Sequence, residues 1–184
     1  ASAASYLLIG HPNVGKSVLF HRLTGAYVNV SNYPGTTVEV SHATPRFDAD
    51  AELFDTPGVL MLPSRSEDER VTLRALFAQA PKAVVQVGDA KNLKRTLALT
   101  AVLAELKVPM VLALNMADVA RAQGLDVDAA VLARELGCPV VETVAVKTNG
   151  HQALVALLDQ RLTAAHATAS VVQHENRTPA QLQQ

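Results

Sequence analysis

The chain has 184 residues, 49% of them apolar, with 16 basic and 17 acidic side chains and a formal net charge of −1. That length suits one globular domain with at most a short appendage, and the balanced charge, with no Lys/Arg run, argues against a nucleic-acid-binding arm or a polybasic membrane patch. No apolar stretch nears the roughly 18–20 residues of a transmembrane helix, and a single cysteine, Cys138, excludes a disulfide framework and a thiolate metal site and suits a reducing, cytosolic setting.

Short aliphatic runs alternate with helical patterns along the chain, the mark of an α/β sheet. Residues 1–5 are small, lack a positive charge and an initiating Met, and read as a vector-derived remnant or a disordered start. Tyr6–Ile9 reads as a strand that breaks at Gly10. Val18, Leu19, Phe20 and Leu23 set a helix over Lys16–Thr24, closed by Gly25, and the turn formers from Gly25 to Gly35 read as a loop. Strands are predicted at Val38–His42 and Ala51–Phe54, paired antiparallel if only a short turn joins them. A helix is expected over Glu67–Gln79, a buried strand at Ala83–Val87, a helix over Leu93–Lys107 and a buried strand at Val108–Leu114. Ala129–Leu136 is a helix stopped by Gly137, Pro139–Val144 a strand and His151–Ala165 the last helix. The polar tail over 167–184 reads as disordered or as the start of a further helical region. Six strands with helices between most of them predict a three-layer, mostly parallel α/β sheet with one antiparallel strand near an edge. Sites in such a sheet lie at the carboxyl ends of the strands.

Four motifs fall at those ends. Gly10-His11-Pro12-Asn13-Val14-Gly15-Lys16-Ser17, followed by Val18, matches G-x-x-x-x-G-K-[ST] between a strand and a helix. Backbone N–H groups and the helix N-terminus would cradle phosphates, Lys16 would reach the β/γ-phosphates and Ser17 would hold Mg²⁺. Asp55-Thr56-Pro57-Gly58 would supply a Walker-B-like carboxylate and, at Gly58, an N–H for the γ-phosphate, although alone it is an ordinary turn. In Asn115-Met116-Ala117-Asp118, the carboxylate of Asp118 can accept bonds from guanine N1 and the 2-amino group, or it can merely cap a helix. At Val144-Ala145-Val146-Lys147, a backbone N–H could meet guanine O6 and the Lys147 stem could cover the base, or the strand simply runs into a loop. Their order, one per α/β unit, favours a guanine-nucleotide site. Between the first two, Thr36 and Thr37 compete to supply a hydroxyl to Mg²⁺.

At this point the chain resembles the G domain of bacterial ferrous iron transport protein B (FeoB) over about residues 5–165. The resemblance rests on Asn32-Tyr33-Pro34-Gly35-Thr36-Thr37-Val38-Glu39, Asp89-Ala90-Lys91-Asn92-Leu93, Leu112–Asp118 with its Asn-Met pair, and Leu136-Gly137-Cys138-Pro139-Val140. It implies a P-loop GTPase (Ras-like) fold, with a GTP-binding domain over 6–166 that hydrolyses GTP/GDP-cycle nucleotide with Mg²⁺ as a switch for Fe²⁺ uptake. It makes Thr37 the magnesium threonine. It also implies that Asn13, with carbonyls of the 28–33 loop, holds a K⁺ that counters transition-state charge. The implied partner is the membrane-embedded part of the same inner-membrane protein, not nucleic acid; oligomeric state stays open. The chain departs from the family in carrying Thr56 in Asp-Thr-Pro-Gly and Ala145 where a Ser is usual. Val59 stands where Ras-like enzymes place a water-orienting Gln, which implies slow intrinsic turnover. Other classes fitting the motifs are a nucleotide-binding regulatory module with negligible turnover and a ribosome-assembly GTPase. The six histidines show no metal-ligand spacing and read as surface residues, Cys138 as a small buried hydrophobe, and Arg65–Arg70 as a solvated segment responding to the γ-phosphate.

Overall fold

Strand β1 (Ala4–Gly10) is apolar on both sides because both of its faces are covered. Tyr6 and Leu8 enter one core cluster while Leu7 and Ile9 enter another, the two-residue alternation of an extended chain. In this computed structural model the described residues are 4–25, 27–58, 77–78, 80–105, 107 and 109–160. The helix expected over Glu67–Gln79 therefore lies outside them except for 77–78, which are helical. Val59, the Arg65–Arg70 segment and the tail over 167–184 lie outside them entirely.

The further elements are α1 (Lys16–Thr24), β2 (Asn29–Asn32), β3 (Glu39–Ala43), β4 (Ala51–Asp55), β5 (Ala83–Asp89), α2 (Leu93–Glu105), β6 (Met110–Asn115), α3 (Ala117–Ala122), α4 (Ala129–Leu136) and β7 (Val140–Glu142). Residues 152–160 form a final helical segment. One sheet carries the strands in the order β2-β3-β4-β1-β5-β6-β7. β4, β1, β5, β6 and β7 pair in parallel, and β3 runs antiparallel to both of its neighbours.

The sheet is thus the expected mostly parallel α/β sheet with one reversed strand, but it has seven strands among the described residues rather than six. The additional strand is β2, inside the segment expected to be a loop. All four of its residues are exposed, so it has no inward-facing apolar positions to announce it. It forms because Asn29–Asn32 pairs with His42–Glu39 around a turn at Pro34-Gly35. That turn is closed by Tyr33 N–H on Val38 O (2.7 Å) and Thr36 N–H on Tyr33 O (3.0 Å). Gly35 supplies the left-handed residue there, at φ 76°. β7 is also shorter than the expected Pro139–Val144, because the chain after Glu142 turns into a loop closed by Val144 N–H on Gly150 O.

Helices cover both faces. Leu19, Phe20 and Leu23 of α1 pack with Leu8, Leu53, Val85 and Val111, and with Leu154 and Leu158 of the 152–160 segment. On the opposite face Leu99 and Leu103 of α2 pack with Leu7, Ile9, Phe54 and Val84. A third cluster, Ala90, Leu112, Leu114 and Ala120, is flanked by Leu132 and Leu136 of α4. Asp128 caps α4 by accepting from the N–H groups of Ala130 and Val131 at 2.9 and 3.0 Å, and Gly137 ends it at φ 67°. The expected stop is therefore where the chain takes the left-handed turn that only glycine adopts without strain. Among the described residues no helix is long and apolar enough to cross a membrane.

Candidate nucleotide-binding site

β1 ends at Gly10 and α1 begins at Lys16, so residues 11–15 must turn the chain from a central strand into a helix. Asn13 and Gly15 take positive φ, 63° and 82°. Close packing dictates two of the glycines. A Cβ on Gly10 would stand 2.5 Å from Val87 O of the neighbouring strand, and one on Gly15 would stand 2.2 Å from Asn115 Nδ2. The loop and Gly58 together line a cleft of about 430 Å³, whose walls are His11, Pro12, Asn13, Gly15, Lys16, Ser17, Val18 and Gly58. The N-terminus of α1 opens at this cleft, where free backbone N–H groups and the helix dipole favour an anion.

β4 runs beside β1 with Asp55 opposite Leu8. Thr56 then fastens the loop that follows, its N–H and hydroxyl both donating to Leu8 O at 3.2 and 2.8 Å. This register brings Asp55 to the phosphate loop. Lys16 Nζ forms an ion pair with Asp55 Oδ1 and donates to Thr56 O at 2.6 Å, while Ser17 Oγ donates to Asp55 Oδ2 at 3.3 Å. Lys16 and Asp55 side chains are only 10% and 12% exposed, so the pair interacts through little water. The Ser17 hydroxyl and the Asp55 carboxylate are adjacent hard oxygen donors, a set that suits Mg²⁺ completed by phosphate oxygens and water.

The two threonines differ. Thr36 spends its hydroxyl on its own turn, donating to Tyr33 O at 2.9 Å and accepting from Val38 N–H at 3.1 Å. Thr37 is exposed. Neither Thr37 nor residues 28–33 are among those lining the cleft, and 29–32 are engaged in the β2–β3 ladder.

Asn115 closes β6 and is buried. Its Nδ2 donates to Val14 O at 2.9 Å, and its Oδ1 accepts from Ala145 N–H at 2.9 Å and Thr143 Oγ at 3.1 Å. One amide thus links the phosphate loop to the 144–147 loop. Met116, at φ 59°, is the N-cap of α3, which places Asp118 in the first turn rather than at the cap. Asp118 accepts from Val119 N–H at 3.0 Å and pairs with Lys147 Nζ at 3.3 Å. Partial desolvation pushes its carboxyl up, but the Lys147 hydrogen bond, the local N–H groups and the Lys147 charge outweigh that and hold it below the usual carboxylate value. Val146 and Lys147 are exposed at the same end.

Two contributors escaped the sequence. Thr143 donates to Asn115 as described, and Arg22 of α1 reaches the 144–147 loop from the other side: its Nε donates to Ala145 O and its Nη2 to Val146 O, both at 3.0 Å. Neither residue type marks such a role, because both act on backbone or amide groups far off in sequence.

The histidines do not all lie on the surface as expected. His11 is buried in the phosphate loop, and burial, aided by the Arg95 charge, lowers its pKa. His42 bridges β2 to β4, with Ser31 Oγ at 3.0 Å and Glu52 Oε1 at 3.2 Å, and stacks on Phe54. His151 is half-buried, and its Nδ1 has no hydrogen-bond partner among the described residues. These rings sit inward because each packs against sheet or loop, a fact that spacing alone does not carry. His21 is exposed as expected, and His166 and His174 lie outside the described residues. Among the described residues no three His, Cys, Asp or Glu side chains gather as a metal site. Cys138 is half-buried against the Leu7–Leu99 cluster.

The family model for ferrous iron transport protein B matches residues 4–158. The chain belongs to the FeoB family. Curated FeoB relatives include the Fe(2+) transporter FeoB of Salmonella typhimurium, 39% identical over 158 residues, and that of Escherichia coli K12, 37% identical over 158 residues. Each alignment covers 83% of this chain and 20% of the relative, so the chain spans about a fifth of the length of those transporters. Solved FeoB structures share the P-loop GTPase fold. An S. thermophilus NFeoB mutant bound to mGDP matches with a TM-score of 0.75 at 38% identity, over 84% of this chain and 60% of that one. The cytosolic domain of L. pneumophila FeoB matches at 0.73 and 39% identity, over 84% and 67%. The T. maritima FeoB G domain matches at 0.68 and 33% identity, over 82% and 93%.

Proposed function

We propose that this chain is a GTP-binding and GTP-hydrolysing domain, spanning about residues 6–166, on the cytoplasmic side of an inner-membrane ferrous iron transporter. The observation that carries this reading is the meeting of Lys16, Ser17 and Asp55 at a helix N-terminus, with Asn115 joining that point to the Asp118–Lys147 end. The phosphates sit on the loop amides of 13–17, and Lys16 exchanges Asp55 for β/γ-phosphate oxygens. Ser17 and, through water, Asp55 would hold Mg²⁺, which neutralises phosphate charge when bound, and Thr37, which stands outside the cleft here, would join them only with nucleotide in place. Asp118 receives the guanine N1 and 2-amino hydrogens, and adenine offers no such pair, which leaves the carboxylate unmatched. Water attacks the γ-phosphoryl group in line, positioned by the backbone of Thr37 and Gly58. Asn13 is the residue that would take K⁺ beside the phosphates. The partner is the membrane-embedded remainder of the transporter, for which the nucleotide state acts as a switch.

Single-turnover hydrolysis of GTP in KCl and in NaCl tests the reading. Faster turnover in KCl, abolished by Asn13→Ala, is expected. Equal rates unchanged by that substitution remove potassium, and no hydrolysis in either salt leaves a nucleotide-binding regulatory module instead.

A further inference from the structure

Arg22 stands on the half-buried flank of α1, six residues past Lys16, and spends both arms of its guanidinium on one target. Nε and Nη2 donate to consecutive carbonyls, Ala145 O and Val146 O. The same Ala145 peptide gives its N–H to Asn115 Oδ1. Ala145 is therefore gripped at its N–H from β6 and at its carbonyl from α1. Both grips lead back to the phosphate loop, Asn115 through Val14 O and Arg22 through the helix that starts at Lys16. Ala145 itself is buried and has no side-chain hydroxyl with which to brace the loop, and of the two Arg22 bonds the one to its carbonyl is the better shielded from water.

We propose that Arg22 is a positioning residue that presets the 144–147 loop for the purine base, and so governs how fast guanine nucleotide leaves. The proposal rests on the nucleotide reading given above. A planar two-pronged donor fixes both the position and the tilt of the Ala145-Val146 peptides, where a lysine ammonium fixes only a point. Within 144–147 the Val144, Ala145 and Lys147 N–H groups are spent on Gly150 O, Asn115 Oδ1 and Val144 O, so the Val146 N–H is the donor left for guanine O6, and with Arg22 removed it is no longer held at one distance. The loss falls on the base, not on the phosphates.

The test is stopped-flow release of fluorescent mant-GDP from the full chain, compared for wild type, Arg22→Ala and Arg22→Lys. Release about tenfold faster in Arg22→Ala, with only partial rescue by Lys, is expected. Equilibrium binding of GDP and of 2-aminopurine riboside diphosphate, which lacks O6 and the N1 hydrogen, then separates base positioning from general loosening, since the N1 loss at Asp118 is common to wild type and variant. Wild type prefers GDP, and Arg22→Ala reduces that preference. Unchanged release, full rescue by Lys, or equal weakening of both nucleotides overturns the proposal. If Arg22→Ala does not fold by its thermal transition, Arg22→Lys carries the same comparison, and wild-type release rates and preference in it refute the clamp. Failure of the wild-type chain itself to bind GDP would instead sink the nucleotide reading, and this inference with it.

Discussion

Asn115 Nδ2 donates to Val14 O at 2.9 Å across 101 residues of sequence. Because Asn115 Oδ1 also receives Ala145 N–H and the Thr143 hydroxyl, one buried side chain satisfies three groups on two loops. Asn115→Ala strands all three away from water, and each buried unpaired group costs about 1–3 kcal/mol. A loss of about 3 kcal/mol or more in urea unfolding is expected, together with weaker GDP binding. A loss under about 1 kcal/mol would mean that water or a neighbour replaces the amide.

Gly15 and Gly124 have similar backbone angles, φ 82° and 74°, but different surroundings. A Cβ on Gly15 meets Asn115 Nδ2 at 2.2 Å, whereas one on Gly124 has nothing within 4 Å. Gly124→Ala should cost only the left-handed backbone penalty, about 1–2 kcal/mol. Gly15→Ala adds a steric collision with the residue that joins the loops, so it should destabilise more and should abolish nucleotide binding. Equal melting temperatures for the two variants would contradict the packing described.

The hydroxyl of Tyr33 is buried with Ser5 beside it but no hydrogen bond of ordinary geometry among the described residues, while its ring stands edge-on to Phe54 with centroids 4.9 Å apart. The ring should matter and the oxygen should not. Tyr33→Phe is expected to be neutral or slightly stabilising, because it removes a buried hydroxyl that has at best a poor bond to Ser5. Tyr33→Ala should cost about 3–5 kcal/mol, measured by thermal or urea unfolding. It should also loosen the 33–38 turn that carries Thr37.

His11 and His151 both have pKa values below the ordinary 6.5, His11 from burial and then the Arg95 charge, His151 from burial and then the Arg22 and Arg46 charges. The folded chain therefore resists protonation at sites that the unfolded chain protonates freely. Their contribution to stability is present in full above about pH 6.5 and is lost as pH falls from there through the lower folded-state values. Urea midpoints should drop between about pH 6.5 and 5, and the drop should shrink in a His11→Asn, His151→Asn double variant. A midpoint unaffected by the double substitution across that range would show that other groups carry the acid sensitivity.

The phosphate-loop pattern and the other three strand-end motifs can be read from the sequence because each is a short contiguous run at the end of an apolar strand. β1, β5 and β6 were legible for the same reason, since strands buried on both faces are short continuous aliphatic runs. β2 was not, because Asn29, Val30, Ser31 and Asn32 are all exposed and show no alternation. Arg22 was hidden more deeply, since its two acceptors are backbone oxygens 123 and 124 positions away. His11 read as a surface residue because nothing in its neighbours in sequence reveals that the folded phosphate loop buries it within reach of the Arg95 charge.

The split burial of β1 has a consequence for chemistry at its tip. Tyr6 and Leu8 are locked into one layer of the molecule, Leu7 and Ile9 into the other, so the strand cannot slide along its axis by one residue without turning every side chain to the wrong face. Such a slip would carry Gly10 and the loop behind it about 3.3 Å along the strand, more than the length of a hydrogen bond. The hydrophobic interior thereby works as a gauge block. It sets how far the phosphate-binding amides protrude, and a change deep in either layer can alter phosphate affinity without touching a polar atom.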